Sequence, residues 1–208
     1  TLSDVITTAG NGSIVLRVTT GDLTLEDGSA ADDNTAVSAH GTGNILLETI
    51  GGDILANEDV LSGRGHITVL ASNNIRFNAE ADIVTSLNGS IDLEATTGSI
   101  TLATDANQST GSGDIRMLAK NNITLGGVVT TTGSVSLTSN NGSILDGDSN
   151  GAVDIVATQL RIDAAIGAGE LGASVNPIET TVTTLSGRAT SGGINILESD
   201  TLIVDDTS

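Results

Sequence analysis

Residues 89–102 read GSIDLEATTGSITL. Ile91, Leu93 and Ala95 alternate with Asp92 and Glu94, the period-two pattern of a strand with one apolar and one polar face. Gly98 then interrupts the chain, and Ile100 and Leu102 resume the alternation around Thr101. The unit is therefore two short strands joined by a tight corner.

This unit recurs. Related phrases are GSIVLRV at 12–18, GNILLET at 43–49, GHITVLA at 65–71, GDIRMLA at 113–119, GSVSLTS at 133–139, GAVDIVA at 151–157 and GINILES at 193–199. Alignment gives a first apolar column of Ile14, Ile45, Ile67, Ile91, Ile115, Val135, Val153 and Ile194. A second holds Leu16, Leu47, Val69, Leu93, Met117, Leu137, Ile155 and Ile196. A third is mostly small: Ala71, Ala95, Ala119, Ser139 and Ala157, with Val18 and Thr49 above them. A second strand is expected to start at Leu23, Ile54, Ile75, Ile100, Ile123, Ile144 and Ile162. The corners before these strands supply Gly21, Gly52, Asn73, Gly98, Asn121 and Gly142, where a left-handed residue is expected to turn the chain. Leu160 does not fit that corner pattern.

Hairpins would reverse every second strand, yet nothing distinguishes odd strands from even ones. A coil of roughly 22 residues instead stacks each strand in parallel on its equivalent, ~4.8 Å away. Like then stacks on like, and each coil needs its neighbours to bury the shared core. The expected fold is all-β, a right-handed parallel β-helix (solenoid) of about eight to nine coils. A β-sandwich of short strands is the alternative. The whole of 1–208 reads as one β-helix segment, with regular coils over 12–165, an irregular coil over 166–192 and a last coil over 193–208. The remaining side of each coil looks variable: VLSGR, DIVTSLN, GVVTTT and a long insertion at 26–40. Such variation marks either a binding face or tolerated loop drift.

The composition agrees with thin aliphatic layers. Phe77 is the single aromatic residue and Pro177 the single proline. The net charge is -19, from 26 acidic and 7 basic residues. That argues against nucleic acid, which needs a basic face, and against an anionic membrane surface. It favours a soluble rod that attracts divalent cations. No cysteine is present, which excludes disulfides and thiolate metal sites. No apolar run reaches the ~20 residues of a membrane span. The start at Thr1, without a signal peptide, reads as a fragment of something longer.

These repeats resemble the filamentous haemagglutinin-like repeats of large secreted bacterial adhesins. The stretch 166–198, IGAGELGASVNPIETTVTTLSGRATSGGINILE, is similar to a recurrent segment of giant repeat-rich exoproteins of that kind. The resemblance covers nearly the whole chain. It implies a right-handed parallel β-helix, an extracellular or cell-surface location, and a part in adhesion, cell–cell contact or biofilm.

The sharpest chemical signal is the run from Asp146 to Asp154, which fits D-x-D-x-N-G-x-x-D. Asp146, Asp148, Asn150 and Asp154 are candidate ligands for Ca2+, because calcium takes several oxygens and a glycine-turned loop can present them on alternate residues. A solvated turn is the competing reading, with Asp154 placed outward like Asp92. The acidic 27–34 loop is a weaker calcium candidate. His40 and His66 read as surface residues. Arg64, Arg76, Arg116 and Arg161 read as surface charge balance.

Three functions compete. The first is a structural or adhesive rod, with neighbouring repeats, an end-to-end copy or a surface receptor as partner, because uncapped coils leave strand edges unpaired. The second is a calcium-dependent binding module. The third is a polysaccharide-active enzyme, which needs two carboxylates flanking a sugar. No such pair stands out, so no catalytic residue is assigned and a non-enzymatic role is expected.

Overall fold

Each alternating phrase forms a strand, and each strand lies parallel on its counterpart one coil away. A computed structural model describes residues 4–27, 34–148, 150–172 and 175–207. Over these the chain is an all-β parallel β-helix in which every pair of named strands is parallel. Among the described residues no helix is long and apolar enough to cross a membrane.

Three sides build each coil. The first side stacks Ile14–Val18, Ile45–Thr49, Ile67–Ala71, Ile91–Ala95, Ile115–Ala119 and Ser134–Ser139. Its register is like on like: Ile14 on Ile45, Ile67, Ile91, Ile115 and Val135 in turn. The second side is a six-stranded sheet running from Leu23–Leu25 to Ile144–Asp146. About six turns therefore carry all three sides as strands. Beyond Asp146 the second side shrinks to single bridges from Ile144 to Ala168 and from Ala168 to Ile194. The larger coil count expected from the sequence includes those irregular steps.

The third side, expected to be variable loop, is a stacked row in its own right. Val37, Val60, Ile83, Gln108, Val129 and Ile155 follow one another in register. Thr35–Ala39, inside the 26–40 insertion, is one of its strands.

The coil after Ser139 departs from the alignment. Val135 stacks on Leu160, not on Val153, and Leu160 stacks on Leu185. Val153 is half-buried and outside any strand. GAVDIVA is the approach to the third side, where Ile155 pairs with Val129 and Thr180. The long strands Ile155–Ala164 and Ile178–Ala189 cross the corner and serve the third side first, then the first side. Leu160, Ile162 and Ala164 are thus the true first-side residues, and Ile162 does not start a second strand. Ile194 belongs to the second side and Ile196 to the third. Leu16, in the outermost first-side strand, is only partly buried; Ile45, Leu47, Ile67, Ile91, Leu93, Ile115, Val135 and Leu137 are fully buried.

The corners work differently from expectation. Of the expected left-handed positions only Gly21 has positive φ, at 88°. Gly52 and Gly98 are small for another reason: a Cβ there would strike the Gly21 and Asn73 carbonyls of the previous coil. Asn73 and Asn121 bridge coils instead, Asn73 Oδ1 accepting from the Thr97 hydroxyl and Asn121 Nδ2 donating to the Thr97 carbonyl.

Buried polar groups at the corners form ladders between coils. The hydroxyls of Ser62, Thr85 and Thr131 donate to the carbonyls of Gly43, Gly65 and Gly113 at 2.9, 2.7 and 2.6 Å. A second ladder enters the third side. Asp59 Oδ1 accepts from the Asp82 N–H, Asp82 Oδ1 from the Asn107 N–H, and Asn107 Oδ1 from the Val128 N–H, all at 2.7–2.9 Å. Each coil thereby satisfies a donor of the next, as burial demands.

Candidate cation site

The second ladder leads to the one cluster of three metal-competent side chains among the described residues. Asp154 and Glu179 each stand one residue before the register pair Ile155 and Thr180. They continue the column of Asp59, Asp82 and Asn107. The Glu179 N–H donates to Asp154 Oδ2 at 2.9 Å, repeating the ladder bond. Asp154 is 4% exposed and Glu179 6%, so Asp154 does not share the outward setting of Asp92.

Asp146 arrives from the second side. Ile144, Leu145 and Asp146 alternate inward, outward and inward, and Asp146 stacks on Leu125. The same column holds Leu25, Ala56, Phe77 and Leu102 on earlier coils. A carboxylate thus replaces an aliphatic group in a core column. One carboxylate oxygen from each of Asp146, Asp154 and Glu179 lies within 4.8 Å of the others. Asp146 Oδ2 and Glu179 Oε2 are buried with no hydrogen-bond partner.

The charges oppose one another. Burial foremost, and then the nearby Asp146 and Glu179, push the Asp154 carboxyl up to about 8 against the pull of the Glu179 N–H. Burial also raises Asp146, followed by the charges of Asp148 and Glu170, while the Asp148 N–H and the Asn176 amide lower it. Glu179 is raised by burial and then by Asp146. None of the three is in an ion pair.

Of the four ligands expected from the sequence, the structure brings together Asp146 and Asp154. Asp148 and Asn150 instead hold the loop. Asp146 Oδ1 accepts from the Asp148 N–H at 2.9 Å, Asp148 Oδ1 from the Asn150 N–H at 3.0 Å, and Asn150 Oδ1 from the Ala152 N–H at 2.6 Å. The Asn176 amide donates to the Asp148 carbonyl at 2.7 Å and ties the loop to the following coil. Glu179 was not legible in the loop motif. Its signal was the acidic or amide residue that precedes the third-side strand in Asp59-Val60, Asp82-Ile83, Asn107-Gln108 and Asp154-Ile155. Of the weaker 27–34 candidate, residues 28–33 lie outside the described residues.

The other polar residues singled out by sequence lie on the surface. His40 Nδ1 sits 2.7 Å from the Gly10 carbonyl and His66 Nδ1 2.7 Å from Ser90 Oγ, both contacts between coils. Arg116 bridges Asp92 and Glu94, and Arg161 and Arg188 flank Asp163. Compared with protein-family models, curated proteins and solved structures, the chain matches none.

Proposed function

We propose that this chain is a structural, adhesive rod segment of a bacterial extracellular or cell-surface protein. The observation that carries this reading is the unbroken like-on-like register of the first side. There the inward aliphatic residues hold coil to coil, while the outward positions carry a mixture of polar, ion-paired and aliphatic side chains, Val15, Leu46, Leu70 and Leu118 among the last. Such an architecture extends by adding coils. The resemblance of its repeats to filamentous haemagglutinin-like sequences supports the same role. The partners are further coils, from the same chain or a second copy, and a receptor on a cell surface. A non-enzymatic role is supported by the placement of the clustered carboxylates: Asp154 and Glu179 are buried and Asp146 is half-buried, all within one close cluster.

Electron microscopy of the purified chain, with a cell-binding assay on chain-coated beads, tests this. Rods or filaments that retain cells are expected. Compact particles, or turnover of any member of a polysaccharide panel, would overturn the reading.

A further inference from the structure

We infer that Asp146, Asp154 and Glu179 form a calcium site inside the helix, which pins the last regular second-side strand to the coil that follows.

Three observations converge. First, the ligands come from separate elements: Asp146 ends a second-side strand, while Asp154 and Glu179 lie on successive coils of the entry to the third side. Second, Glu179 is 6% exposed and its Oε2 is buried without a partner beside the other two carboxylates. Asp146 Oδ2 is unpartnered in the same way, although it occupies a column that is aliphatic or aromatic on the five preceding coils. A buried unsatisfied carboxylate is costly, and two of them in one cluster are compensated together by a single cation. Third, the loop is already braced. The turns around Asp148 and Asn150, and the Asn176 bond to the Asp148 carbonyl, fix the Asp146 end of the site.

The donor set selects the ion. All three donors are hard carboxylate oxygens, with no imidazole or thiolate, which suits calcium or magnesium over zinc or copper. The three oxygens, all within 4.8 Å of one another, can share one ion, and a set of three carboxylates suits calcium's flexible, oxygen-rich shell better than magnesium, which usually keeps several waters and takes one or two carboxylates. Asp148 falls outside the carboxylate cluster, and its side chain, like that of Asn150, braces the loop instead.

Calorimetric titration of the chelator-stripped full chain with calcium chloride, and separately with magnesium chloride, tests this alongside thermal unfolding. One calcium per chain and a rise in melting temperature are expected. Glu179→Gln and Asp146→Asn should each weaken calcium binding by roughly tenfold or more, since affinity follows ligand charge. Asp148→Asn should leave it nearly unchanged. Removing one of three repelling carboxylates should not lower the melting temperature in chelator, so lost binding will not be lost folding. No response to calcium, a stronger response to magnesium, or calcium binding unaffected by Glu179→Gln would overturn the inference. The last would assign the ion to the diffuse acidic surface.

Discussion

Glu179 gives its backbone N–H to Asp154 Oδ2 at 2.9 Å while its own carboxylate lies within 4.8 Å of the same residue. One bond stabilises the Asp154 anion and one neighbour opposes it. The opposition prevails because both groups are buried and Asp146 adds a third negative centre. The first prediction concerns pH in the metal-free chain. The folded Asp154 pKa, about 8, stands above its ordinary value of 3.8, so the folded state holds a proton that the unfolded state releases. The stability it contributes is fully present below the unfolded pKa and is lost as pH rises through the folded one. Asp146 and Glu179, which face it and are also raised, act in the same direction. In chelator, melting temperature should fall as pH rises from about 5 to about 9, and Asp154→Asn should flatten that fall. Identical pH profiles for the two chains would refute the assignment.

Gln108 is fully buried on the third side, between Ile83 and Val129, and neither its Nε2 nor its Oε1 has a partner. An unsatisfied buried amide costs about 1–3 kcal/mol. Gln108→Leu keeps similar volume and removes both polar atoms. It should stabilise the chain by about 1–2 kcal/mol, read as a higher urea midpoint at unchanged slope. A lower midpoint would mean that the amide is satisfied in solution.

Ile91 and Asp92 are adjacent in sequence and opposite in setting. Ile91 is 1% exposed between Ile67 and Ile115, whereas Asp92 faces outward and pairs with Arg116 at 2.7 Å. Ile91→Asp puts a charge in an aliphatic column and should destabilise by more than about 4 kcal/mol. Asp92→Ser loses one half-exposed ion pair and should cost less than about 1 kcal/mol. Similar losses in denaturant titrations of the two variants would contradict the inward and outward assignment.

The regular coils were legible because every contact in a solenoid joins equivalent residues one coil apart. The alternation in IDLEA specifies both the strand and its column, and the second-side starts at Leu23, Ile54, Ile75, Ile100, Ile123 and Ile144 were all readable. At 151–164 glycine is a false marker of the first side. GAVDIVA carries the Gly-x-Val opening, while the real first-side strand, Leu160-Arg161-Ile162-Asp163-Ala164, follows Thr158 and Gln159 with no glycine before it. The alternation of Leu160, Ile162 and Ala164 matched the columns; the marker did not. Among the corner glycines, Gly21 takes the expected left-handed conformation, whereas Gly52 and Gly98 stand at the expected corners for another reason. Their smallness serves the close approach of neighbouring coils, which a single coil's backbone does not reveal.

From sequence alone came the parallel stacking, the aliphatic columns, the exclusion of thiolate chemistry and two of the three clustered carboxylates. Those properties depend on local period and residue type, repeated coil after coil. Tertiary structure alone determined that Asp146, on the second side, meets Asp154 and Glu179 at the entry to the third. Such a meeting crosses the interior of the helix. It depends on corner lengths, on the long strands that round the corner, and on which face of each strand turns inward. The same geometry separates Asp148 and Asn150 from their neighbours in the motif: two and four residues beyond Asp146, they sit in a loop that their side-chain oxygens brace by accepting its N–H groups.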